Sequence, residues 1–253
     1  MALGTSIDTF NSKGYSILDV EDIHSIDMVK TYLADYFRHK FNMSGTDDYI
    51  LNHAHNCDKN LDDVMANNLV MELIQYFRKA YKMDEVVYNS IKSFIDYFLG
   101  QDIASQKNPN IVFQYPYSNR FSELHTDAPN NSKFELVCWL PLVNCYDSKS
   151  FFILEQAKSK ELLDLYRNNN YTSWNDFKDD CINNAIHLTI NYGQVLIFWS
   201  GLLHGSLINT TNESRFSLNT RFKQLYAPCG LKSPFVFYDV FKSSSISRFA
   251  QEF

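Results

Sequence analysis

The chain is short of the residues that mark flexible, cross-linked or membrane-spanning proteins. Eight glycines and six prolines in 253 residues are too few for a low-complexity or collagen-like chain. No apolar run approaches the about 18 residues that a membrane helix needs. The opening stretch, MALGTSIDTFNSKGYS, has no basic segment followed by an apolar one, so no secretory signal is expected. Basic residues are also scarce: 23 Lys and Arg stand against 29 Asp and Glu, a formal charge of −6. That argues against a general nucleic-acid binder, which carries a net basic face. It leaves room for an anionic small molecule held by a few inward arginines. The five cysteines (Cys57, Cys138, Cys145, Cys181, Cys229) are odd in number and contain no CxxC pair. Unpaired, buried thiols in a reducing, cytoplasmic compartment are the expectation.

What the sequence has in quantity is aromatic side chains: 20 Phe, 16 Tyr and 3 Trp, 15% of the chain. They suit the interior of a sandwich or barrel. The length fits one domain, 1–253, and a chain of this size buries roughly three quarters of its unfolded surface without a staple. Residues 1–105 read as mainly helical. A turn at Ser12–Gly14 precedes a short strand, and Asp22 or Ser25 caps a helix near 22–39. Residues 44–60 read as a polar loop, and 61–98 as further helix closed by Gly100. From 106 to 226 short β-branched and aromatic runs alternate with turn residues, the pattern of an antiparallel sandwich or barrel. Residues 155–182 read as a helical insertion between strands, and 227–253 as a C-terminal extension. The fold class expected is mainly β with flanking helices, α+β in sum.

The chemistry concentrates at Leu124-His125-Thr126-Asp127. On an extended segment His125 and Asp127 point to one side, where an imidazole and a carboxylate can share a metal ion. His204, after the apolar run 195–199, can supply a third ligand. Two histidines and one carboxylate on one face form the ligand set of Fe(II) oxygenases, which leaves positions for oxygen and a co-substrate. Eleven residues beyond His204 comes Arg215, then Phe216 and Ser217. On a strand over 214–222, Arg215, Ser217, Asn219 and Arg221 share a face. A guanidinium there can grip a carboxylate through two bonds, with a hydroxyl adding a third.

With these residues in place, the sequence resembles the 2-oxoglutarate/Fe(II)-dependent dioxygenases, and among them the phytanoyl-CoA-hydroxylase-like branch. The likeness runs through His-Thr-Asp at 125–127, Trp-Leu-Pro-Leu at 139–142, Phe-Phe-Ile-Leu at 151–154, the segment 195–206 and Arg-x-Ser at 215–217. It covers about 110–226 and, loosely, 14–17. The ending, 204–223, is similar to that of members from carbohydrate and antibiotic-sugar gene clusters. The resemblance implies a double-stranded β-helix (jelly-roll, cupin-like) core. It implies Fe(II) held by His125, Asp127 and His204, with 2-oxoglutarate and O2 as co-substrates. Arg215 would hold the distal carboxylate of 2-oxoglutarate, helped by Ser206 or Ser217, with Gln114 and Trp139 nearby. The implied reaction is oxidative decarboxylation of 2-oxoglutarate coupled to hydroxylation of a small polar, carbohydrate-derived molecule. Halogenating relatives lack the carboxylate that Asp127 provides, which points away from halogenation.

Other readings stand beside these. Arg221 and Asn219 are candidate substrate contacts, but Arg221 could instead pair with an acidic neighbour. Arg120, in the loop before His125, could face an anionic substrate or simply solvent. His53-Ala-His55-Asn-Cys57-Asp58 is a competing metal candidate or, in a polar segment, a lid loop. The same centre could desaturate, epimerise or close a ring, and a jelly roll could also bind a carbohydrate without turnover. Oligomeric state is open.

Overall fold

A computed structural model describes residues 3–252. In chain order the elements are α1 (Leu3–Lys13), β1 (Tyr15–Asp19), α2 (Ile23–Phe41), α3 (Asp47–Asn52), a 3-10 turn (Ala54–Cys57), α4 (Asp63–Phe77), α5 (Met83–Ser90), α6 (Lys92–Leu99), β2 (Ile103–Gln106), β3 (Asn110–Gln114) and β4 (Glu135–Pro141). Then follow β5 (Phe152–Ile153), α7 (Gln156–Arg167), α8 (Trp174–Asn183), β6 (Ile186–His187), β7 (Gln194–Trp199), β8 (His204–Gly205), β9 (Arg215–Gln224), α9 (Pro234–Phe237), β10 (Tyr238–Lys242) and α10 (Ser245–Gln251).

The strands form two antiparallel sheets. The larger runs β1-β7-β4-β9-β2-β10, with β3 also paired to β9, and the smaller runs β6-β5-β8. The longest strand, β9, organises the larger sheet. Its first half pairs with β3, its last residues with β2, and nearly its whole length with β4. Its side chains alternate as a strand's must. Phe216, Leu218 and Phe222 belong to the main apolar core. Phe216 stacks on Phe113 at 4.7 Å and meets Phe37 of α2 edge-on at 5.7 Å, while Phe222 meets Tyr88 of α5 at 6.2 Å. The N-terminal helices thus share one core with the sheet they cover. That leaves Arg215, Ser217, Asn219 and Arg221 on the opposite, inward face. A smaller core (Leu124, Phe152, Leu154, Leu162, Phe177, Cys181, Leu203) joins the small sheet to the inserted helices α7 and α8.

Local signals account for most boundaries. Asp22 caps α2 by accepting the His24 amide, and Gly14, at φ +81°, turns the chain from α1 into β1. The segment expected to be a polar loop, 44–60, instead contains α3. Thr46 accepts the Tyr49 amide, and Ile50, Leu51 and Ala54 are fully buried. Three buried side chains on a capped turn outweigh the polar composition. The C-terminal extension is partly strand, because β10 adds to the sheet beside β2. All five cysteines are free, with Cys138, Cys145 and Cys181 buried. Among the described residues no helix is long and apolar enough to cross a membrane.

Candidate metal and co-substrate site

His125 and His204 face each other as an isolated antiparallel bridge, each donating its amide to the other's carbonyl at 3.0 Å. Asp127 follows two residues on, returning its side chain to the same side. One ligand atom from each of the three lies within 4.8 Å of the others, and no other such group of three occurs among the described residues. The neighbouring glycine serves this close approach. A Cβ on Gly205 would sit 2.8 Å from both the Phe152 ring and the Ser122 carbonyl, so only glycine lets the His125 segment lie against β8.

The hydrogen bonds leave the right atoms free for a cation. His125 Nδ1 lies 2.7 Å from the Glu123 carbonyl, and His204 Nδ1 lies 2.8 Å from the Leu202 carbonyl. A carbonyl can only accept, so each Nδ1 carries a proton, and it is Nε2 whose lone pair is left for a cation in the neutral ring. Burial, reinforced by the nearby His125, pushes the His204 pKa down to about 4, so its ring is neutral at physiological pH. Phe151 stacks on that ring at 5.3 Å and Phe198 flanks it at 4.7 Å, holding its plane. Asp127 Oδ1 accepts from Arg221 Nη2 at 2.9 Å, whereas Oδ2 is buried without a partner, 4.0 Å from His204 Nε2. A buried carboxylate oxygen left bare is costly. Two lone-pair nitrogens beside it complete a donor set that fits a divalent cation, Fe(II) in particular.

A second unsatisfied centre lies along β9. Arg215 is 3% exposed. Its Nη1 donates to the Ser150 carbonyl at 3.0 Å, its Nε has no partner, and its guanidinium lies 5.8 Å from the centre of the Trp139 ring. It makes no ion pair with any described residue, and burial lowers its pKa. Around it Ser217 Oγ, Gln114 Oε1, Ser150 Oγ and Asn219 Oδ1 are also buried and unpartnered. The register brings them together: Gln114 lies beside Arg215, Pro141 beside Ser217 and Trp139 beside Asn219. An isolated buried cation among idle hydrogen-bonding groups is unfavourable unless an anion completes it. The slot suits a carboxylate.

Several expected site residues are engaged otherwise. Ser206 does not join Arg215. Its Oγ accepts the Ser122 amide at 3.0 Å, pinning the chain that leads into His125. Arg120 is half-buried and bound to the helical layer: it donates to the Asp63 carbonyl at 3.2 Å and to Asn67, both on α4. Arg221 pairs with acidic neighbours, the second of the two readings the sequence offered: besides Asp127, its Nη1 donates to Gln106 at 3.0 Å and its Nε lies 3.3 Å from Glu135. Asn219 keeps a free oxygen on the inward face. His53 and His55 form no metal group: His53 Nδ1 bonds the Tyr49 carbonyl and His55 Nδ1 bonds Ser214 at 2.8 Å. That contact helps tie the helical layer to the start of β9. Glu135, Gln106 and Tyr238 were not visible as site residues. The one available signal was Glu135 standing two and four residues before Val137 and Trp139, a carboxylate on the inward face of a buried strand.

No protein-family model matches the sequence, and no curated protein does. Solved structures do match over nearly the whole chain. A non-haem monooxygenase, ThoJ, in complex with nickel superposes with a TM-score of 0.55 at 13% identity, covering 99% of this chain and 93% of its own. The α-ketoglutarate-dependent carbocyclase SnoK gives 0.56 at 11% identity, covering 95% and 93%. The epimerase SnoN, complexed with Fe3+, α-ketoglutarate and nogalamycin RO, gives 0.56 at 12% identity, covering 96% and 94%. At such identities the likeness establishes the fold: this chain has the jelly-roll architecture of the non-haem iron, 2-oxoglutarate-dependent enzymes.

Proposed function

We propose that the protein is an Fe(II)- and 2-oxoglutarate-dependent oxygenase acting on a small polar, carbohydrate-derived molecule. The observation that carries this reading is the pairing of two incomplete sites on one inward face. Two imidazole lone pairs and a bare carboxylate oxygen ask for a cation. An unpaired, buried guanidinium on the same face asks for an anion. A dicarboxylic keto acid chelating at one end and anchored at the other satisfies both.

In this reading His125, Asp127 and His204 hold the iron from one face and leave its other positions open. Arg215 and Ser217 anchor the distal carboxylate of 2-oxoglutarate, with Gln114 Oε1 and Asn219 idle beside them. Trp139, Phe151 and Phe198 close the site with apolar surface and keep water out. The chemistry such a centre supplies is decarboxylation of 2-oxoglutarate to succinate and CO2, coupled to oxidation of a substrate C–H bond. The substrate class rests on the likeness of segment 204–223 to members from antibiotic-sugar gene clusters. Succinate release on adding Fe(II), 2-oxoglutarate and O2, measured across sugars and nucleotide sugars, tests the reading. A tightly bound sugar with no succinate would favour a non-catalytic carbohydrate binder instead.

The outcome of the oxidation is a second question. Structures of equal similarity include a monooxygenase, a carbocyclase and an epimerase, so the fold accommodates each. Product mass separates them: hydroxylation adds one oxygen, ring closure or desaturation removes two hydrogens, and epimerisation leaves mass unchanged.

A further inference from the structure

We infer that Arg221 is a positioning residue for the metal centre, one that restricts Asp127 to a single coordinating oxygen and is itself held by Glu135 and the C-terminal strand. This rests on the metal reading above. Arg221 engages partners from three segments: its Nη2 donates to Asp127 Oδ1 at 2.9 Å, its Nη1 donates to Gln106 Oε1 at 3.0 Å, and its Nε, which makes no hydrogen bond, forms an ion pair with Glu135 Oε1 at 3.3 Å. Glu135 has a fully buried side chain. Its Oε2 accepts from Tyr238 of β10 at 2.6 Å and its Oε1 from Asn131 at 3.2 Å. Asn131 in turn donates its amide to the Asp127 carbonyl at 2.9 Å. The Asp127 side chain therefore stands at the end of a chain of contacts: a hydrogen bond from Tyr238 to Glu135, an ion pair between Glu135 and Arg221, and a hydrogen bond from Arg221.

Two features make this more than a structural ion pair. Arg221 occupies Oδ1 and leaves Oδ2 bare and turned toward His204. A carboxylate released from that grip can close on a cation with both oxygens, taking a position that the co-substrate needs. The planar fork also matters, because it bridges Asp127 and Glu135 at once; a lysine ammonium cannot reproduce that geometry. Groups that orient metal ligands from behind alter metal affinity about 10- to 100-fold when removed.

The test uses Co(II) as probe, because its visible absorption reports coordination number and geometry without turnover. Wild-type protein and the variants Arg221→Gln, Arg221→Lys and Glu135→Gln are titrated with Co(II), with thermal melting as a control for folding. Arg221→Gln is expected to weaken Co(II) binding about 10- to 100-fold and to change the absorption spectrum at saturating Co(II), with Arg221→Lys intermediate. An unchanged spectrum in Arg221→Gln overturns the inference, whatever the affinity, since a merely structural arginine would move the melting temperature alone. Should Arg221→Gln not fold, Arg221→Lys and Glu135→Gln are read by the same criterion. Absence of Co(II) binding by the wild type, or full binding by His204→Ala, would instead bring down the metal reading on which this rests.

Discussion

Replacing Arg215 by methionine should have two effects of opposite sign. Without ligand, Arg215 is a buried cation with one hydrogen bond, an idle Nε and no ion pair among the described residues. An apolar side chain of similar length removes that desolvation cost. Exchanging buried ion pairs for well-packed apolar side chains is neutral or stabilises by about 1–4 kcal/mol, and an unpaired buried cation carries the same desolvation cost without the compensating attraction. Allowing for the lost bond to Ser150, a gain of about 1–2 kcal/mol remains, or about 2–8 °C in Tm for a chain of this size. With 2-oxoglutarate the sign reverses. Two charge-assisted hydrogen bonds at about 1.5–3 kcal/mol each correspond to binding weakened roughly 100- to 1000-fold or more. Thermal melting of Mn(II)-loaded protein reads both effects. At 2-oxoglutarate about 100 times its Kd, wild type gains about 2.7 kcal/mol, hence about 5–10 °C, whereas Arg215→Met should gain about 1 °C or less. A variant that melts lower than wild type without ligand and still responds fully to 2-oxoglutarate would refute the anion-site reasoning.

Other expectations follow from the same geometry. Gly205→Ala forces a Cβ to within 2.8 Å of the Ser122 carbonyl, so it should part the His125–His204 bridge and weaken Mn(II) binding about tenfold or more. Unchanged affinity in a calorimetric titration would contradict this. Phe216→Ala removes a fully buried ring between Phe37 and Phe113 and should cost about 3–5 kcal/mol in urea unfolding; a loss under 1 kcal/mol would mean that the helical layer does not depend on β9. The pH dependence of the metal-free protein should reflect two opposed groups. His204, lowered from 6.5 to about 4, makes the folded state bind fewer protons than the unfolded one, so its contribution is lost as pH falls through that window. Burial raises Glu135 from 4.5 to about 7, so its contribution is present at low pH and lost as pH rises. Glu135→Gln should therefore expose the His204 term and make Tm fall more steeply between about pH 6.5 and 4 than in wild type.

The parts of the structure legible in the sequence were those with short-range periodicity. The inward face of β9, carrying Arg215, Ser217, Asn219 and Arg221, and the single-sided pairing of His125 with Asp127 both follow from the two-residue alternation of strands. The helices α2 and α4 announced themselves by apolar spacing, and α2 also by the cap at Asp22. What escaped was set by contacts distant in sequence. The strand β8 is two residues long and exists because β5 and the His125 segment flank it. The strand β10 lies in a tail of unremarkable composition and forms because β2 offers an open edge. Arg221 could be placed on the right face, but its partners come from positions 106, 127 and 135, on separate segments, and no spacing rule joins them. The contacts of Ser206 and Arg120 were hidden for the same reason: a side chain near the site in sequence can be spent on a backbone amide or a helix.

The most direct test of the account is spectroscopic. Protein made anaerobic and given Fe(II) and 2-oxoglutarate together should develop a weak visible charge-transfer band that neither addition produces alone. The band should be absent in His204→Ala, and in Arg215→Ala it should appear only at much higher 2-oxoglutarate. Wild-type protein that shows no band and binds neither component, or a band that persists unchanged in both variants, would contradict the assignment of His125, Asp127, His204 and Arg215.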